Sequence, residues 1–356
     1  MAAGVTIMAL ALTLTACGTQ ENTGTTESVK STETVENTET VESIETMENT
    51  ETVKGIETME STETMESTET IENVEIIEAM VSESAAPQET ANVTPQMQPV
   101  EYTDLQQITL DPNWEYADHS KINTGAAVLY PAPEESGRKG IVIGVNAGHG
   151  TAGGAKVKTL CHPDGSAKVT GGSTAAGATE AAAVSGGMTF QDGTPEREVT
   201  LRMAQILRDK LLTSGYDVLM LRDSEDVQLD NVARTVICNN VANCHIALHW
   251  DSGDGKNYDK GCFYISVPEA LKTMEPVASH WQQHDTLGTD LVEGLREQGA
   301  MIYGKGNMSI DLTQTSYSTI PSVDMELGNA YSDHSDEVLE QLATGLLAGI
   351  NTYFEQ

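Results

Sequence analysis

The sequence predicts an α/β protein: a three-layer αβα sandwich around a central mixed, mostly parallel sheet, preceded by a long disordered acidic tether. Three observations point there. Beyond residue 139, short β-branched or apolar runs recur and stop at glycine or polar turns, as buried strands do. Between those runs lie segments whose apolar residues recur at helical spacing. Near residue 100 the composition changes sharply, with no aromatic residue before Tyr102. The roughly 250 residues after that break suffice for one sizeable domain.

The N-terminal residues 1–17 read as an export signal, because their apolar core is too short to span a bilayer. Leu14, Thr15, Ala16 and Cys17 resemble a bacterial lipobox, which makes Cys17 the expected lipid anchor. Cleavage near Ala16 in a plain secretory signal is the alternative. Residues 18–100 carry 19 Glu, no Asp and only Lys30 and Lys54 as countercharges, a net charge near −17 out of −35. Within them a six-residue repeat places Val35, Val41, Met47, Val53, Met59, Met65 and Ile71 at equal intervals. At about 100° per residue, six steps rotate successive apolar side chains around a helix, so no stripe forms. High like charge and low hydrophobicity leave such a segment disordered. It reaches at most about 270 Å fully stretched, or roughly 50 Å as a flexible coil.

Residues 101–138 form a lead-in whose Trp114, Tyr116 and Tyr130 can pack on the domain of residues 139–356. The run from Ile141 reads as a buried strand ending at Gly148, His149 and Gly150. A loop over 151–193, rich in Gly, Ala, Ser and Thr, follows; a loop this long inside a domain is usually functional. Thr194 as N-cap, Pro195 at the first helical position and Glu196 in the first turn open a helix. Val199, Met203, Ile206, Leu207 and Leu211 form its apolar face, and Gly215 closes it. Strands are predicted at Asp217–Leu221, His245–His249, Cys262–Ser266 and Ser322–Leu327. Helices are predicted over Asn231–Val241, Pro276–Glu297 and Asp336–Phe354.

The acidity argues against nucleic acid as a partner, since no Lys/Arg stripe neutralises phosphates, and against electrostatic docking on anionic lipid. Apart from Cys17 the cysteines are Cys161, Cys238, Cys244 and Cys262. In an exported chain they permit two disulfides in three pairings, or four buried thiols. None lies in a CxxC, which argues against a cysteine zinc site.

Four segments, taken in order, resemble the zinc-dependent N-acetylmuramoyl-L-alanine amidases that cleave bacterial peptidoglycan. They are Ala147–Gly150, Gly193–Glu196, Ile246–Asp251 and Val323–Gly328, with Leu221–Asp223 and Asn231–Asn239 fitting between them. The resemblance spans about residues 139–356. It implies His149, Glu196 and His249 as zinc ligands, Glu326 as the catalytic carboxylate, and peptidoglycan as substrate. It selects Glu196, five residues before Leu201, over its rival Glu198; the two lie roughly 200° apart around a helix, so both cannot face one metal. Asn146 stands where the family commonly has Asp, and Asn329 where an aromatic is common.

The residues make chemical sense by themselves. Two neutral imidazoles and one carboxylate give zinc three ligands and leave a fourth position for water. The positive end of a helix keeps Glu196 ionised, as a ligand requires. A further carboxylate that does not bind the metal is needed to move protons, and Glu326 near the end of an apolar strand suits it, with Asp324 beside it. Ile246 stands where a helical HExxH site needs Glu, and the resemblance, with an apolar residue at the position of His245, implies that His245 is core. His162 reads as a solvated loop residue, and Arg234 and Asn239 as anchors of helix to loop. The rival functions are another zinc-dependent wall peptidase, or a wall-binding surface protein with a degenerate site.

Overall fold

Side-chain alternation decides how the central strands are used. Val218 and Met220 face one hydrophobic core while Leu219 and Leu221 face another, so the strand is buried on both sides. That double burial is why these strands read as continuous apolar runs. The computed structural model describes residues 104–252, 255 and 257–355. The signal segment with Cys17 and the 18–100 tether lie outside the described residues.

In chain order the elements are β1 (Gln106–Ile108), β2 (Ala127–Tyr130), β3 (Val142–Ala147), β4 (Lys158–Leu160), β5 (Glu180–Ala182), α1 (Glu196–Thr213), β6 (Asp217–Met220), α2 (Asn231–Val241), β7 (Cys244–Asp251), β8 (Cys262–Ser266), α3 (Val277–Glu297), β9 (Ile302–Ser309), α4 (Thr313–Tyr317), β10 (Ser322–Asn329) and α5 (Asp336–Phe354). Eight strands form one sheet in the order β1-β2-β6-β3-β7-β10-β8-β9. The central β6, β3, β7 and β10 are mutually parallel, so their C-terminal ends share one edge. That edge is where ligands bind in open α/β sheets. Helices α1, α3 and α5 cover one face; α2 and α4 cover the other.

The α3–α5 contact depends on glycine. A Cβ on Gly294 would lie 2.3 Å from the Gly345 carbonyl oxygen, and one on Gly349 would lie 2.5 Å from that of Asp290. Any larger side chain would force these helices apart.

Several details differ from the sequence reading. The lead-in supplies β1 and β2, which extend the sheet antiparallel beyond β6, with Tyr130 buried in the main core. Helix α1 starts one residue later than its capping pattern suggests, with Pro195 in an extended conformation at its N-cap. An antiparallel bridge between Thr189 and Pro195 holds the backbone out of the helix there. The long loop contains the β4–β5 hairpin. Strand β9 was not expected: Gly304, Lys305 and Gly306 break its apolar pattern, which suits an edge strand paired only with β8. Cys161, Cys238, Cys244 and Cys262 are all free and buried, which decides for thiols over disulfides. His162 corrects the expectation outright. It is fully buried, because Asp311 meets its Nε2 at 2.9 Å.

Candidate functional site

The first histidine is held by backbone strain and two buried guanidiniums. His149 follows β3 in a left-handed conformation, φ 65°, which costs a non-glycine residue of order 1 kcal/mol or more. Arg234 offsets that cost by donating to the carbonyls of Ala147 and His149 at 3.1 and 2.7 Å, and to Asn146 Oδ1 at 3.0 Å. Arg222 donates to the carbonyls of Ala147 and Gly148 at 3.1 and 3.0 Å. Burial lowers Arg234 to about 9 and Arg222 to about 10. Gly148 is required here, since a Cβ would fall 2.2 Å from the His249 ring.

The His149 ring is oriented as well. Its Nδ1 donates to the Ser185 carbonyl at 3.0 Å, which turns Nε2 toward Glu196 and His249; in a neutral ring that nitrogen would carry the lone pair a cation takes in place of a proton. That Nε2 lies 2.9 Å from Glu196 Oε1 and 3.0 Å from His249 Nδ1. His249 Nδ1 in turn lies 3.2 Å from the same Glu196 oxygen. Glu196 enters from the first turn of α1, its carboxylate fixed by the amides of Met188 at 2.8 Å and Trp250 at 3.0 Å. Burial opposes the Glu196 charge, but the hydrogen bonds to His149 and His249 outweigh it and hold its pKa well below the ordinary range. The rival Glu198 is exposed and pairs with Arg197 at 3.6 Å.

These three ligand atoms lie within 4.8 Å of one another, and among the described residues no other such group of His, Cys, Asp and Glu occurs. The donor set of two imidazole nitrogens and one carboxylate oxygen fits zinc. The electrostatics agree. Burial resists charge on His249, but Asp324 and Glu196 outweigh it and raise His249 to about 10. The pocket therefore favours positive charge at the point where the three atoms converge.

Strand β10 supplies the opposite wall. Its period of two turns Asp324 and Glu326 toward one face, away from Val323, Met325 and Leu327 in the main core. Glu326 sits in register with His249 across the parallel β7–β10 pair. Asp324 Oδ2 faces His249 Nε2 at 3.9 Å. Asp324 Oδ1 and Glu326 Oε2 are buried without hydrogen-bond partners in the protein. Burial, and then the charge of Asp324, push Glu326 well above the usual carboxylate range. Both line a cavity of about 500 Å³ that also contains His149, Glu196 and His249.

The structure thus brings together all four residues singled out in the sequence. His245 is fully buried in the sheet, and Asn239 anchors α2 to the 317–319 segment through the Tyr317 carbonyl and the Thr319 amide. Sequence reasoning did not find the parts played by Ser185, Met188, Trp250 and Arg222. Ser185, Met188 and Trp250 act through backbone groups and Arg222 across 74 to 75 positions of chain, which no local pattern reports.

A family model of N-acetylmuramoyl-L-alanine amidases, Amidase_3, matches residues 143–350. The chain belongs to this family. The amidase Ami1 from Mycobacterium smegmatis shares its fold, with 17% identity, a TM-score of 0.50, and coverage of 61% of this chain and 97% of that one. Ami1 from Mycobacterium abscessus is 19% identical over 60% of this chain and 99% of its own, with a TM-score of 0.49. For the amidase AmiC2 of Nostoc punctiforme the values are 16%, 62%, 99% and 0.45. No curated protein matches the chain. Both departures noted from the amidase pattern keep structural roles: Asn146 accepts from Arg234, and Asn329 donates to the Tyr258 carbonyl at 3.1 Å. Among the described residues, no helix is long and apolar enough to cross a membrane.

Proposed function

We propose that this protein is a zinc-dependent N-acetylmuramoyl-L-alanine amidase. It hydrolyses the amide joining the lactyl group of N-acetylmuramic acid to L-alanine of the stem peptide. The observation that carries this reading is the convergence of His149 Nε2, Glu196 Oε1 and His249 Nδ1 beside Glu326, in a chain of that family. Held by those three residues, zinc would supply a Lewis acid that polarises the scissile carbonyl and acidifies water toward a pKa of about 7.

Glu326 is the proton carrier. Its free carboxylate oxygen takes a proton from the attacking water and returns it to the leaving nitrogen as the C–N bond breaks. The products are a lactyl carboxylate and a peptide with a free L-alanine amine. Burial supports this role, since raising its pKa makes the Glu326 carboxylate a stronger base toward the water proton. Arg234 and Arg222 keep the His149 turn in place and do not touch the reacting atoms.

Export, a lipid anchor at Cys17 and the acidic 18–100 tether complete the proposal: they let the domain work in the cell wall while the chain stays on the membrane. The lipobox-like segment and the charge-repelling repeat support it. Incorporation of labelled fatty acid, lost in Cys17→Ala, tests the anchor.

The activity test is digestion of purified peptidoglycan with and without a chelator, followed by mass spectrometry. We expect intact stem peptides with a free L-alanine amine, absent after chelation and in Glu326→Ala. Cleavage elsewhere in the stem would make the protein a wall peptidase. Failure to retain zinc would make it a binding protein.

A further inference from the structure

The 151–193 segment does more than join β3 to α1. Its portion 168–177 closes on itself through the Lys168 amide to the Ala178 carbonyl at 2.9 Å and the Gly177 amide to the Lys168 carbonyl at 2.8 Å. The tip of this small loop carries Gly171, Gly172, Ser173 and Thr174, and the last three line the cavity that holds the metal-ligand cluster.

One buried carboxylate fastens the loop. Asp311, fully buried between β9 and α4, meets His162 Nε2 at 2.9 and 3.1 Å and accepts the Val169 amide at 2.7 Å. Its own amide donates to Thr170 Oγ1 at 2.8 Å, and its carbonyl accepts the Lys168 ammonium. His162 is fixed from behind by Ser166 Oγ at 2.8 Å. Four residues of one strap, 162, 168, 169 and 170, therefore converge on a single side chain and its peptide unit. The other end of this brace reaches β10: Gln314, three residues beyond Asp311, donates to Ser322 Oγ and the Val323 carbonyl, each at 3.1 Å. Hydrogen bonds at the two ends of the 311–314 backbone thus tie the strand bearing Glu326 to a loop that lines the same cavity.

We propose that the 168–177 loop is a substrate-binding wall of the cleft, held in place by Asp311. The Gly171–Thr174 tip grips the muramyl-peptide chain beside the scissile amide, through its hydroxyls and open backbone. The proposal rests on the amidase reading above. Asp311 acts by positioning this wall and not on the reacting atoms. A buried hub is needed because a glycine-rich tip has little packing of its own. A Cβ on Gly171 would meet only the Ala176 amide, at 3.8 Å, and one on Gly172 only the Ile310 side chain, at 3.9 Å. Without the hub, substrate binding would have to supply the entropy of ordering the loop.

The binding energy of such a wall is felt equally in the ground and transition states, so its loss raises KM and spares kcat. The test compares the full-length wild type with Asp311→Asn and with the double variant Ser173→Gly, Thr174→Gly, using a soluble muramyl-tripeptide. We expect Asp311→Asn to raise KM about tenfold with kcat within twofold, unchanged zinc content, and new protease cleavage inside 168–177. The double variant, altered only at the exposed tip, keeps the proposal testable if Asp311→Asn does not fold. It should raise KM severalfold without new cleavage. A fall in kcat at unchanged KM, or an unchanged KM in the double variant, would overturn the wall. If the wild type does not cleave the tripeptide, the amidase reading fails separately. Calorimetric affinities of the three proteins for the uncleaved tripeptide then decide the wall: a loss in both variants upholds it and equal affinities refute it.

Discussion

His245 and His249 lie four residues apart on the same face of β7, beside the same neighbour strand, yet their environments drive them in opposite directions. At the buried end, His245 pairs in register with Ser322, and neither ring nitrogen has a hydrogen-bond partner in the protein. Burial, with Arg234 and His284 nearby, lowers it to about 3. At the open end, His249 pairs in register with Glu326 and faces Asp324 and Glu196, which overcome burial and raise it to about 10. Identical side chains on one strand become a neutral core residue and one whose surroundings favour positive charge. The carboxylates around them make that difference, not the histidines themselves.

Removing the carboxylates should therefore undo the open end in graded steps. The largest effect is expected from Glu196→Gln. It removes the charge that both histidines share and should abolish zinc retention on dialysis, and activity with it. Glu326→Gln should lower kcat by about 10²- to 10⁴-fold while zinc content stays at wild-type level, because it removes proton transfer and no ligand. Loss of zinc in that variant would move Glu326 into the ligand set. Asp324→Asn should weaken zinc by about 10- to 100-fold, the usual consequence of losing a carboxylate behind a ligand histidine. Competition with a chromophoric chelator measures this directly. An unchanged affinity would reduce Asp324 to a wall residue.

The buried end predicts a pH effect of known sign. His245 and His284 both have folded values of about 3, against an ordinary value of 6.5, and burial is the main cause. The unfolded chain takes up their protons first. Their contribution to stability is thus complete above about pH 6.5 and is lost as the pH falls toward 3. At pH 5 each group should cost about 2 kcal/mol. Urea denaturation at pH 7.5 and pH 5 measures the loss, and His245→Leu should shrink it by roughly half. An equal loss in that variant would mean that water or another group satisfies His245.

Much of the site was legible because its residues end regular elements. A strand that stops at Gly148, a helix that opens near Glu196, and two apolar strands carrying His249 and Glu326 leave period-two and period-3.6 signatures. The lining was not legible. His162 looked like a solvated loop histidine because the residue that buries it, Asp311, lies 149 positions away. Ser185 gave no signal, since its carbonyl and hydroxyl oxygens meet His149 Nδ1 from 36 positions away. Strand β9 escaped because an edge strand with two glycines needs no apolar alternation.

The sequence alone determined the fold class, the order of most of its strands and helices, and the four side chains at the cleft. The fold class and element order follow from local periodicity and from the small number of ways that alternating strands and helices can bury their apolar faces; the four side chains follow from the resemblance of their segments to the amidase family. Only the tertiary structure decided what surrounds those side chains. It paired β10 with β7 in the register that sets Glu326 beside His249, and it turned Asp324 toward the same ring. It also left His245 without carboxylates and tied the 168–177 loop, part of the cavity lining, to Asp311. Electrostatic environment depends on distances of 3 to 4 Å between residues far apart in the chain, and only packing fixes those distances.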